Sequence, residues 1–192
     1  MKTDYLENVK KQFENYKVLG EKTIVELPDE KLLWKYNESS HSIAAIVKHL
    51  WGNMLSRWKN FLTTSGEVEW SDREAEFYND IKSRKELLDK WNEGWSYLFN
   101  SINSLREDDL QRIICIQNYE HTVAEAINMQ LAHYSYYVGQ IVLIGKLICD
   151  GLNSLTSPME DPQKKIADKF VPPQYKGHWV EEYLRQERNK FV

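Results

Sequence analysis

The amino-acid sequence predicts an all-α protein: a four-helix bundle with a long crossover connection and a C-terminal extension. Apolar residues recur at helical spacing in four separate segments. Only five prolines and eight glycines interrupt 192 residues, too few for a turn-rich β protein. Three of the four segments also open on a capping signature. The length suits one domain of about 150 residues plus a tail. The expected division is a bundle over residues 1–151 and an extension over 152–192.

In the first segment Leu6, Val9, Phe13 and Tyr16 form one stripe, with Asp4 placed to cap it, Glu7 three residues on, and Pro28 just past its end. The second runs from Ser42 to Leu62 and aligns Ile43, Ile46, Leu50, Met54, Trp58 and Phe61. The third opens with Ser83-Arg84-Lys85-Glu86, a capping-box pattern, and aligns Leu87, Trp91, Trp95, Leu98 and Ile102. The fourth opens with Thr122-Val123-Ala124-Glu125 and continues to Asp150, where Gly151 is the stop signal. Four such stripes bury one another most simply as a bundle. Residues 63–80 are too long for a turn between antiparallel neighbours, which points to a crossover. Ile113-Ile114-Cys115-Ile116 reads as a short strand or hairpin at one end. From Asn153 to Gly177 the chain is polar, with Pro158, Pro162 and Pro172-Pro173, and reads as an extended arm. An amphipathic helix, His178 to Lys190, follows it.

Apolar residues make up 42% and charged residues 28%, which suits a folded core and excludes a disordered chain. Lys and Arg number 25 against 29 Asp and Glu, a net charge of −4. No basic stripe tracks a phosphate backbone, so no nucleic-acid partner is expected. Cys115 and Cys149 form no CxxC motif and read as reduced thiols. The start, MKTDYLENVKKQF, lacks the apolar centre of a signal peptide. The most apolar run, Ile141–Cys149, contains Lys146 and is far shorter than the roughly 20 residues of a membrane span. The expectation is a cytoplasmic protein without a membrane partner.

Two histidines fall inside the helices. His49 shares a face with Asn53 and Arg57, and His133 with Gln130, Tyr137 and Gln140. Two polar lines on helices that otherwise face a core suggest one polar cavity between them, the usual place for a metal or ligand site in a bundle. A histidine on a mostly apolar helix is also what a hydrogen-bonded core residue looks like. Arg57, the cation of this wall, suits the carboxylate of a substrate, or an ion pair with Asp72 or Glu76.

The segments NESSHSIAAIVKHLWGNMLSRWKNFL and HTVAEAINMQLAHYSYYVGQIVLIGK, with WSDREAEF between them, resemble the DinB/YfiT-like metalloenzyme superfamily over about residues 1–150. Within it the likeness is to an uncharacterised-domain branch of Bacillus-type bacteria. The resemblance implies a DinB-like four-helix bundle holding a divalent metal, zinc or nickel, on three histidines. His49 matches the ligand from the second helix and His133 the first of an HxxxH pair on the fourth. Tyr137 stands where the third histidine belongs.

That departure weakens the implied site. Neutral imidazoles suit zinc and nickel, whereas a phenol with an ordinary pKa of about 10 ligates well only as phenolate. Tyr137 could instead fill the cavity and hydrogen-bond to His49 or His133. With metal bound, the resemblance implies a hydrolase or thiol-dependent transferase, with Asn53 and Gln140 orienting the ligands. Without it, the alternatives are a non-catalytic small-molecule-binding protein or a stress-related interaction protein. Homodimerisation is expected on the likeness to bundles that pair through helix faces, and because seven tryptophans crowd one small core. His178 is a spare histidine that the C-terminal arm could bring to the missing position.

Overall fold

Each apolar stripe becomes the buried side of a helix. The computed structural model describes residues 5–62, 81–116, 119–149 and 185. Among them are α1 (Tyr5–Glu26), α2 (Ile43–Trp58), α3 (Arg84–Ser104) and α4 (Val123–Ile148), with β1 (Ile113–Ile116) and β2 (Tyr119–Thr122) between α3 and α4. The predicted all-α bundle is what forms. The strands pair as an antiparallel hairpin, Ile113 opposite Thr122 and Ile116 opposite Tyr119. Asp4, Asp150, Gly151 and the expected arm and helix of residues 152–192, Arg185 apart, lie outside the described residues.

Local chemistry sets the helix ends. Ser42 Oγ accepts from Ala45 N at 3.2 Å, and Ser83 Oγ from Glu86 N at 3.2 Å. The Glu86 carboxylate reaches past Ser83 to accept from Lys82 N at 3.1 Å. The α4 box closes in both directions, with Glu125 N donating to Thr122 Oγ1 and Thr122 N to Glu125 Oε2. A further cap is tertiary: Leu6 N in the first turn of α1 donates to Glu107 Oε1 at 3.1 Å. One expected boundary is corrected. α2 ends at Trp58 rather than Leu62, because Lys59 is extended and Asn60 takes φ 60°, a left-handed conformation that asparagine tolerates. Phe61 still packs into the core.

Around the bundle the helices follow the order α1, α3, α2, α4. Tyr5 OH donates to Asn128 Oδ1 at 2.7 Å and Phe13 meets Tyr134 further along, so α1 and α4 run parallel. Trp51 Nε1 donates to Glu93 Oε2 at 2.8 Å, and Ser101 Oγ to Trp58 O at 2.5 Å, so α2 and α3 are parallel too. Contacts of Trp95 with Phe13 and of Tyr137 with His49 set these two pairs antiparallel to each other. Consecutive α2 and α3 are therefore parallel. The chain leaves one end of the bundle and re-enters at the other, as a crossover requires; residues 63–80, which make that connection, lie outside the described residues.

The core centres on one aromatic ring from each helix: Phe13, Trp58, Trp95 and Tyr134, all buried. Phe13 meets the other three with ring centres 6.0–6.4 Å apart, and Trp95 meets Tyr134 at 5.8 Å. Of the other tryptophans, Trp91 is buried and Trp34 and Trp51 are half-buried. No helix among the described residues is long and apolar enough to cross a membrane.

α1 and α3 come together where Gly20 faces Trp91. A Cβ at Gly20 would lie 2.6 Å from two atoms of the Trp91 ring, itself enclosed by the core. Gly20→Ala adds helix propensity but overpacks this contact. Its expected cost is about 1–3 kcal/mol, read as a lower urea midpoint with an unchanged slope.

Candidate functional site

The seam between α2 and α4 carries a line of polar side chains from each helix. α2 brings His49, Asn53 and Arg57 to it on successive turns, and α4 brings Gln130, His133 and Tyr137. Of the residues expected there, His49, His133 and Tyr137 form a triangle of rings. Their centres are 5.4 Å apart for the two histidines, 4.7 Å for His49 and Tyr137, and 4.9 Å for His133 and Tyr137. His49 and Gln130 are buried. Gln140 is half-buried one turn further along, and among the described residues no hydrogen bond ties it to the cluster. Asp72, Glu76 and His178 lie outside the described residues.

Beneath the triangle runs a short relay that sequence reasoning missed. Trp58 Nε1 donates to Tyr134 OH at 2.9 Å, and Tyr134 OH donates to Asn53 Oδ1 at 2.9 Å. Tyr134 falls on the apolar stripe of α4 and reads as core from spacing alone. The available signal was chemical: a buried tyrosine hydroxyl needs a partner, and Asn53 faces the same seam.

The site is electrostatically unfavourable to added positive charge. Burial, reinforced by the neighbouring His49 and Arg57, brings the His133 pKa down from 6.5 to about 4. At neutral pH His133 is therefore an uncharged imidazole with a lone pair to give. Its Nε2 and the Gln130 Oε1 are buried and make no hydrogen bond among the described residues. Burial also pushes the Tyr134 hydroxyl well above its ordinary value, against the opposing effects of Trp58 and Arg57, so it stays a neutral donor.

The histidine pair fits a shared metal ion. Metal–nitrogen bonds of about 2.0–2.1 Å on a tetrahedral ion place two imidazole ring centres about 5 Å apart. The observed 5.4 Å is close to that. A phenolate on the same ion would hold its ring centre about 6 Å from each imidazole centre. Tyr137, at 4.7 and 4.9 Å, instead packs its ring onto both. Among the described residues no group of three or more His, Cys, Asp or Glu side chains converges.

Residues 1–160 match the model of a family described as "Protein of unknown function (DUF1572)". No curated protein matches the chain.

Two outcomes follow from this geometry. Tyr134→Phe strands the buried Trp58 N–H and is expected to cost about 1–3 kcal/mol in urea unfolding. Between pH 6.5 and about 4 the unfolded chain protonates His133 while the folded chain does not. Stability therefore falls as pH drops through that window. His133→Gln is expected to flatten this part of the curve of melting temperature against pH.

Proposed function

The chain belongs to the DUF1572 family, and we propose that it is a DinB-like protein binding one divalent metal ion, zinc or nickel, between α2 and α4, and acting as a metal-dependent hydrolase or thiol-dependent transferase. The observation that carries this reading is the His49–His133 pair, spaced 5.4 Å between ring centres, with a neutral His133 whose Nε2 is buried without a hydrogen bond. Both imidazoles are the ligands; Tyr137 adds a third only if its ring turns to present its hydroxyl.

A bound ion of this class supplies a lowered pKa for a water or thiol, and so a nucleophile near pH 7. The chain's own residues do the rest. The relay from Trp58 through Tyr134 holds Asn53 one turn from His49, which steadies that wall of the site. Arg57 contributes positive potential felt at both His133 and Tyr134, and favours a substrate with a carboxylate or other anionic group. The Tyr136 ring meets Tyr137 edge-on, with centres 5.1 Å apart, and so backs the cluster from the outer side of α4.

A second reading rests on the closeness of Tyr137 to both imidazoles. In it the site is degenerate and holds a small molecule without reacting it. Metal content of the full chain, measured by mass spectrometry after soaking with zinc or nickel, separates the two. The metal reading expects about one ion per chain, lost in His133→Ala, and at least about tenfold tighter binding in Tyr137→His. An empty native chain with a loaded Tyr137→His variant supports the degenerate site. If neither form takes up metal, both the metal and its lost ancestor are excluded. Tyr137→Phe tells whether the phenol matters: unchanged metal content excludes it as a ligand.

A further inference from the structure

α4 has a second apolar side. Its inner stripe of Val123, Ile127, Tyr134, Val138 and Ile141 is buried. On its outer side Met129, Tyr136, Leu143 and Leu147 are 46%, 65%, 57% and 57% exposed. Met129, Tyr136 and Leu143 follow one another at intervals of seven, so they share a face, and Ala132 and Gly139 between them are exposed as well. Residues 126–145 contain no Asp, Glu, Lys or Arg. The outer faces of the other long helices are built differently: Lys10 pairs with Glu7 and Lys17 with Glu21 on α1, and Lys85 with Asp89 on α3. A contiguous, uncharged face of this kind marks a contact surface.

The chain itself offers an occupant. It leaves α4 at Cys149, two residues past Leu147, with residues 150–192 still to follow. Within them Trp179, Val180, Tyr183 and Leu184 recur at helical spacing. Arg185, the one described residue in this stretch, is helical and exposed, and a helical wheel sets it opposite that apolar side. A helix over 178–190 is about 20 Å long and the stretch of α4 from Tyr136 to Leu147 about 18 Å. A coil of the 28 residues that separate Cys149 from His178 would span about 30 Å on average. Reach is therefore no obstacle, and a tether of this length gives a millimolar effective concentration.

We propose that the segment His178–Lys190 folds back as an amphipathic helix onto the outer face of α4, setting Trp179, Val180, Tyr183 and Leu184 against Tyr136, Leu143 and Leu147. Docked there, it covers the uncharged face and braces Tyr136, whose ring packs on Tyr137 of the histidine cluster.

The test uses the full chain with Cys115 and Cys149 replaced by serine, and with Leu143→Cys and Leu184→Cys introduced as a pair. A short bismaleimide is added at low protein concentration. Cross-linking within one chain, confirmed by peptide mass at a total mass near 22.8 kDa, is the expected result. Cross-links between chains would overturn the proposal in favour of a second copy on this face, and an absence of cross-links would overturn it outright. An independent reading uses Tyr183→Asp with Leu184→Asp in the otherwise native chain. Fluorescence of an apolar-surface dye is expected to rise several-fold while helix content stays at the native level. Unchanged fluorescence in a folded variant would count against the docked helix.

Discussion

Four buried aromatic side chains, one from each helix, set the level at which everything else in this bundle is placed. Phe13, Trp58, Trp95 and Tyr134 meet edge-on or tilted, the arrangement that aromatic quadrupoles favour. Such rings are large and rigid, so a helix cannot slide by a turn without emptying one position and overfilling the next. Three of the four also carry a polar group, and of these the buried Trp95 N–H makes no hydrogen bond among the described residues. The Trp58 N–H and Tyr134 hydroxyl meet each other and Asn53, which locks α2 to α4 in register as well as in distance.

The histidine triangle inherits its geometry from that lock. His133 is the residue before Tyr134, and His49 is one turn before Asn53. Fixing Tyr134 on Asn53 therefore brings the two imidazoles together across the seam, their planes tilted by 58°. Burial then sets the chemistry of His133. A second histidine and an arginine nearby make a proton on it still more costly, so it stays neutral at physiological pH. The same closeness lets Tyr137 lie against both rings, a filling contact that three histidines around an ion would not make.

α4 is the helix with the most to bury. Its inner side completes the core, its flank supplies the site, and its outer side has no charge from residue 126 to residue 145. α1 and α3 carry i,i+4 or i,i+3 ion pairs toward solvent, each worth little energetically but enough to keep those faces wet. The contrast gives α4 a surface role that the bundle alone does not use.

The all-α class, the four helices and the caps at Ser42, Ser83 and Thr122 were legible in the sequence because they rest on local periodicity and hydrogen bonds across a few residues. The same holds for the faces that carry His49 with Asn53 and His133 with Tyr137, since helical spacing alone puts them on one side. The end of α2 was not legible, because it turns on the left-handed conformation of a single asparagine, Asn60. Nor was the Glu107 cap on α1, which joins residues a hundred positions apart. The length of residues 63–80 already pointed to the crossover that sets α2 and α3 parallel, whereas tertiary packing alone decided that Tyr134 bridges Trp58 and Asn53 and that Tyr137 packs on the imidazoles. Spacing along one helix gives a side chain's direction; its distance from a neighbour depends on how two helices are held, and here the buried aromatic rings hold them.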